Sequence, residues 1–230
     1  MFSYVKDLGI DVLFKGHNFL RLMGGLLVTL KISLISIAIS VALGLAFGIL
    51  MQKKNIAVRV VSRIYIDFIR TMPQLVLLFI VYFGSTRVFR INLTGELSAI
   101  IVFSLWGIAE MGEIVRGSLS SVSNHQYESA EALGLSRLQT FIYVILPQSL
   151  RRIIPISINL ITRMIKTTSL VLMIGVVEMI KVAQQIIEAN RMLSKNAAFG
   201  VYLVVFILYF LICWPISVLS MKLEKRWKQC

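Results

Sequence analysis

Long uncharged runs alternate along this chain with short polar stretches that collect the arginines and lysines. The first run lies in residues 22–51. Residues 32–51 alone are twenty positions without a charge, enough for a helix to cross a hydrocarbon core of roughly 30 Å. Lys31, one turn outside, can snorkel to the interface. Gln52-Lys53-Lys54-Asn55, with Arg59 and Arg63, marks the first polar loop. Residues 56–84 read as one bent element. Its first part is amphipathic, with Arg59, Arg63, Asp67 and Arg70 near one face. Its second part is uncharged, and Pro73 lies where the helix must kink or restart. After a loop at 85–95, a third span begins near Glu96 and runs to about Gly117. A fourth, residues 153–177, is interrupted by Arg163 and by Lys166-Thr167-Thr168-Ser169, the pattern of a broken or tilted helix lining a path. A polar, helix-prone stretch, 178–196, precedes the longest run, residues 197–221, which is twenty-five positions without a charge and carries Pro215 near its exit. Residues 1–21 alternate apolar and charged positions, fitting either an amphipathic helix at the interface or a poorly ordered end.

The pattern therefore predicts an all-α membrane protein. A single transmembrane domain over 1–230 comprises an N-terminal interfacial segment (1–21), a five-helix core (22–221), a polar loop at 118–150 within that core, and a basic tail (222–230). Composition agrees: 57% of the 230 residues are hydrophobic and 15% charged, too little polar surface for a soluble domain. The net charge of +13 would suit nucleic acid. Its carriers flank the spans, however, so membrane lipid, not nucleic acid, is the expected partner. Cys213 and Cys230 offer neither a disulfide framework nor metal spacing, and His17 and His125 lie far apart. The first sixteen residues carry acids and lack a leader-like pattern, so no cleavage is expected.

Five spans place the two ends on opposite sides. In one orientation Lys53, Lys54, Arg59, Arg63, Arg116, Arg137, Arg151, Arg152, Lys222, Lys225, Arg226 and Lys228 face the cytoplasm, twelve cations in all. The other side then receives eight: Lys6, Lys15, Arg21, Arg87, Arg90, Lys181, Arg191 and Lys195. The excess of positive charge inside favours an outer N-terminus and an inner C-terminus, and it puts the polar segment 127–147 in the cytoplasm.

That segment, YESAEALGLSRLQTFIYVILP, carries the most specific pattern in the chain. Glu128-Ser129-Ala130 is followed by three residues, Gly134, nine more residues, then Val144, Leu146 and Pro147. This resembles the EAA loop, E-A-A-x3-G-x9-I-x-L-P, of permease subunits of binding-protein-dependent ABC importers, with Ser129 for the middle alanine and Val144 for isoleucine. A short helix with small residues fits a cleft on a partner, Gly134 allows a tight turn into a second helix, and Pro147 ends that helix or bends its continuation. Further segments resemble the polar amino acid branch, similar to the histidine and glutamine permeases. Arg70-Thr71-Met72-Pro73-Gln74-Leu75 is similar to R-G-T-P-x-L. Residues 109–117 look like A-Y-x-A-E-x-x-R-G, with Glu113 and Arg116 matching and Glu110 where a tyrosine is usual. Asn159 and Lys166-Thr167-Thr168-Ser169-Leu170 are similar to N and K-D-T-S-L, and Glu178 and Gln184 to a later E and Q. The likeness covers about residues 20–220.

The resemblance implies a type I ABC importer permease in a bacterial inner membrane, crossing it several times and importing an amino acid by alternating access. It implies a second permease chain, the same or homologous, an extracytoplasmic substrate-binding protein, and ABC ATPase subunits that bind ATP and Mg. This chain has no G-x4-G-K-[ST] loop and is expected to be non-catalytic, with no cofactor of its own. Glu128, Ser129, Ala130, Gly134, Leu146 and Pro147 are the expected coupling residues. An amino acid needs both charge signs along its path. Glu110 and Glu113 are candidates for an ammonium or a cationic side chain, and Asn159, Lys166 and Ser169 for a carboxylate. The extra acid, Glu110, tilts this reading toward cationic or polar substrates. In the plainer alternative, Glu113 pairs with Arg116, or Lys166 with an acid, to brace the bundle. An ion-coupled secondary transporter would need an internal repeat, a channel a filter-like segment, and a membrane enzyme a cluster of His, Cys or Asp; Asp7, Asp11 and Asp67 are the only aspartates.

Overall fold

The structure is a computed structural model that describes residues 8–53 and 55–228. Among these residues the regular structure is helical: α1 (Asn18–Leu50), α2 (Ile56–Thr71), α3 (Gln74–Phe89), α4 (Gly95–Ser120), α5 (Asn124–Ala132), α6 (Leu146–Thr167), α7 (Met179–Asn190) and α8 (Ala197–Lys228). Short 3-10 helices occupy Ile10–Phe14 and Thr168–Ile174, and a wide helical turn occupies Thr140–Ile145. Four helical stretches are long and apolar enough to cross a membrane: Asn18–Leu50, Gly95–Ser120, Arg137–Ile174 and Ala197–Trp227. The bent pair Ile56–Thr71 and Gln74–Phe89 makes a fifth if counted as one span, with the break at Met72 and Pro73 where the proline cannot continue the ladder. The contacts divide the chain into two compact units. One comprises 1–35, 74–103 and 164–215; the other comprises 36–73, 104–163 and 216–230.

The first unit is built on a core of Val12, Leu13, Leu22, Met179, Val182, Ala183, Ile186, Ala197, Val201 and Val205. Gly9 and Gly16 sit at φ 74° and 56°, the chain makes a 3-10 turn over Ile10–Phe14 between them, and α1 begins at Asn18. That turn inserts Val12 and Leu13 fully into the core; residues 1–7 lie outside the described residues. A Cβ on Gly200 would meet the backbone of Gly9 at 2.5 Å, so this crossing requires glycine. The polar stretch after the fourth span is likewise a core element. Its helix α7 buries Met179, Val182, Ala183 and Ile186, and it is capped by the fully buried Glu178, which accepts from the Lys181 backbone N–H at 2.9 Å and from the Thr29 hydroxyl at 3.2 Å. Lys31 and Glu96 pair at 2.8 Å in this unit.

The second unit packs the C-terminal half of α1 against α4 through a seam of small residues. A Cβ on Gly44 would lie 2.5 Å from Met111, one on Gly48 2.4 Å from Val115, and one on Gly112 2.6 Å from Phe47. Between them the Ser40 hydroxyl donates to the Ser36 carbonyl at 2.6 Å, keeping its polar group satisfied in an apolar surrounding. Tyr65 of α2 donates to the Leu105 carbonyl at 2.6 Å and meets the Phe47 ring edge-on at 5.4 Å, which seats the amphipathic helix on this pair.

Candidate functional site

The resemblance-bearing loop folds as an elbow in the second unit. Helix α5 stops at Gly134, whose φ of 77° is left-handed. The Gly134 N–H donates to the Glu131 carbonyl at 2.9 Å and the Leu135 N–H to the Ala130 carbonyl at 3.1 Å, the paired bonds that satisfy a helix C-terminus. Two residues later Ser136 opens the short helical turn Arg137–Gln139 with reciprocal caps: its hydroxyl accepts from the Gln139 N–H at 3.4 Å and its own N–H donates to Gln139 Oε1 at 2.8 Å. This S-x-x-Q signature of a helix start is legible in the sequence. Stop and start lie so close that the elbow angle is set by backbone hydrogen bonds.

The wide turn Thr140–Ile145 then runs straight into α6, with the Leu146 N–H donating to the Phe141 carbonyl five residues back. Pro147 therefore does not end the helix. A proline clashes with the carbonyl four residues before it, and widening the preceding turn moves that carbonyl aside. Gln148 donates to Gln126 at 3.3 Å, and the Arg152 guanidinium donates to the Ser121 carbonyl at 2.9 Å and also contacts the Ser121 hydroxyl, so the first arm of the elbow and the connection that leads into it are tied to the base of α6. Ala130 is buried, Leu146 is half-buried, and Glu128, Ser129, Gly134 and Pro147 are exposed. Ser129 and His125 Nδ1 lie 3.1 Å apart. The elbow also exposes large apolar side chains: Leu133 at 80%, Leu138 at 68% and Tyr143 at 71%. On a polar loop these are the side chains a protein partner would cover.

Glu110 on α4 stands between two arginines of the same unit. Oε1 is 3.1 Å from Arg70 at the end of α2, and Oε2 is 3.0 Å from Arg163 on α6. The Arg163 guanidinium also lies 5.0 Å from the centre of the Trp106 ring, one turn before Glu110. Glu113 receives two bonds from Arg116, at 3.0 and 2.8 Å. Each carboxylate thus has both oxygens on guanidinium groups of this chain. Asn159, in the same unit, has an exposed side chain, and its carbonyl accepts from the Thr162 hydroxyl at 2.9 Å. Lys166 and Ser169 belong to the first unit, where Lys166 is exposed and the Ser169 hydroxyl donates to the Lys166 carbonyl at 2.9 Å. The pairing of Arg70 and Arg163 with Glu110 went unread in the sequence, although each is a charge within or beside an apolar run and so demands a partner. Among the described residues no three His, Cys, Asp or Glu side chains are placed to hold a metal ion.

Residues 44–229 match the family model described as "Binding-protein-dependent transport system inner membrane component". The chain is 35% identical over 211 residues to the Bacillus subtilis (strain 168) protein named "Probable amino-acid ABC transporter permease protein YckA", covering 92% of this chain and 91% of that one. It is 31% identical over 205 residues to the same organism's "Probable glutamine ABC transporter permease protein GlnP", covering 89% and 93%. A solved chain from the crystal structure of an amino acid ABC transporter with histidines superposes with a TM-score of 0.81 at 27% identity, covering 90% of this chain and 94% of that chain. A chain of the inward-facing MetNI methionine ABC transporter has the same fold, with a TM-score of 0.68 at 18% identity.

Proposed function

This chain belongs to the family of inner membrane components of binding-protein-dependent transport systems, and from that premise we propose that it is the permease subunit of an ATP-driven amino acid importer in a bacterial cell membrane. The amino acid cargo rests on the relatives, which are named for amino acid and glutamine transport over nine-tenths of this chain. The family description supports an extracytoplasmic binding protein as the donor of that cargo. A second permease chain, the same or homologous, completes the path, and separate ATPase subunits bind ATP and Mg.

The observation that carries the mechanism is the elbow at 124–145. It is held rigid by its own caps and tied to α6, yet it offers Leu133, Leu138 and Tyr143 to the outside. A motor on another chain can transmit force only through a contact that does not yield. In this reading Glu128, Ser129 and Gly134 lie on the face gripped by the ATPase, and the buried Ala130 supports that face from within. Leu146 and Pro147 join that part to α6, so ATPase closure tilts the spans and exposes the path to alternate sides. Along the path, Glu110 holds the Arg70 and Arg163 guanidinium groups in place, and Asn159, Lys166 and Ser169 are available to polar groups of the solute. Glu113, closed on Arg116, braces α4.

Gly134→Asp tests the coupling role. Space around Gly134 is open, and aspartate tolerates a left-handed backbone better than most residues, so the elbow should persist at a cost of about 1 kcal/mol. The added charge lies on the docking surface. In proteoliposomes carrying the assembled transporter, the variant should insert normally and lose solute uptake while ATP hydrolysis continues. Uptake at the wild-type rate would overturn the assignment.

A further inference from the structure

The second unit contains a cavity of about 450 Å³ lined by Arg59, Ser62, Arg63, Arg70, Glu113 and Arg116, with Met51, Ile66 and Asp67 completing its wall; the transport reading gives Arg59 and Arg63 no role. Four guanidinium groups meet there with two carboxylates. Glu113 is engaged twice by Arg116, and Arg70 is engaged by Glu110. Asp67 reaches Arg63 only at 3.8 Å, with both side chains largely exposed. Arg59 makes no ion pair among the described residues. Counting Glu110 with Arg70, the cluster keeps a positive charge, and its charge comes from guanidinium groups, whose planar fork matches a phosphate oxygen pair.

The other side of α2 says which phosphate. Val60, Val61, Ile64 and Phe68 lie about 100° or more around the helix from Arg59 and are all at least half exposed. A helix that offers guanidinium groups along one edge and bare aliphatic and aromatic side chains along the next suits a molecule with an anionic head and an acyl tail. We propose that this cavity is a binding site for the phosphodiester headgroup of an anionic phospholipid, with the acyl chains lying along Val60, Ile64 and Phe68. The volume falls within the roughly 300–1,000 Å³ of small-molecule clefts. The proposal does not depend on which solute is carried.

The test uses the full-length chain purified in mild detergent and doped with equal phosphatidylglycerol and phosphatidylcholine, with retained lipid counted by native mass spectrometry. The wild type should retain phosphatidylglycerol at least about fivefold over phosphatidylcholine, and the paired variant Arg59→Gln with Arg63→Gln should lose about tenfold in retention. Arg59→Lys with Arg63→Lys should keep part of it, and Lys222→Gln with Lys225→Gln, equal in charge removed but on the tail, should keep all of it. Equal retention of the two lipids by the wild type would sink the proposal without any variant. So would equal loss in the tail variant, which would mean diffuse charge attraction. Displacement of the lipid by an equal concentration of inorganic phosphate would assign the site to free phosphate instead. Cross-linking of a Phe68→Cys variant to a second permease chain would give the apolar stripe to a protein neighbour and also overturn it.

Discussion

Glu110 is the residue whose surroundings most change its meaning. Read alone, an acid in an apolar run invites a cationic solute. With Arg70 at 3.1 Å and Arg163 at 3.0 Å, the carboxylate already has its counter-charges, and a solute approaching the trio meets guanidinium as well as carboxylate. Its side chain is 12% exposed while those of its partners are about half exposed, so solvent screens the pairs and their net worth is modest. Removing the acid alone leaves two like charges facing each other. Glu110→Gln is therefore expected to destabilise the protein by about 1–2 kcal/mol, seen as a lower midpoint in a detergent thermal melt. Glu110→Gln combined with Arg163→Gln should recover part of that loss. If the double variant melts below the single one, the trio is not the organising contact. Nothing in a one-dimensional reading pairs positions 70, 110 and 163, because they lie on three different helices.

At the scale of elements, the two prolines that punctuate the polar segments act differently. Pro73 separates α2 from α3, whereas Pro147 sits inside a continuous helix because the turn before it widens. Residue type alone predicts a disturbance in both places. The backbone before each proline differs: Met72 is extended at ψ 136°, whereas the turn before Pro147 widens and stays helical. The small residues of α1 tell a similar story. Their spacing is visible in the sequence, but only the structure shows that Gly44 and Gly48 face Met111 and Val115. Gly48→Leu puts four carbons where a single Cβ would already lie 2.4 Å from Val115. It should cost about 2–3 kcal/mol and cut the yield of monodisperse protein in size-exclusion chromatography, while Gly24→Leu, where the space is open, should leave the yield unchanged.

For the whole molecule, orientation is the property that most constrains function and is carried only by charge distribution. The twelve-to-eight excess of Lys and Arg predicts an outer N-terminus and an inner C-terminus. Three of the twenty, Lys6, Lys54 and Lys228, have side chains outside the described residues, as does Cys230. In a background with Cys213 and Cys230 replaced by serine, Leu133→Cys should react with a membrane-impermeant maleimide only after the cells are opened, and Leu193→Cys in intact spheroplasts. The opposite pattern would place the elbow outside and end the coupling proposal. The apolar runs, the places where proline disturbs them and the elbow's pattern were determined by the sequence alone. They depend on local rules: the length of apolar runs, the missing N–H of proline, and the tolerance of glycine for a left-handed turn. What only the tertiary structure decided is which polar groups meet: α7 as a core helix, Glu110 between two arginines, and four guanidinium groups around one cavity. Those outcomes depend on contacts between residues far apart in the chain, and a buried charge takes whichever opposite charge the packing brings within reach.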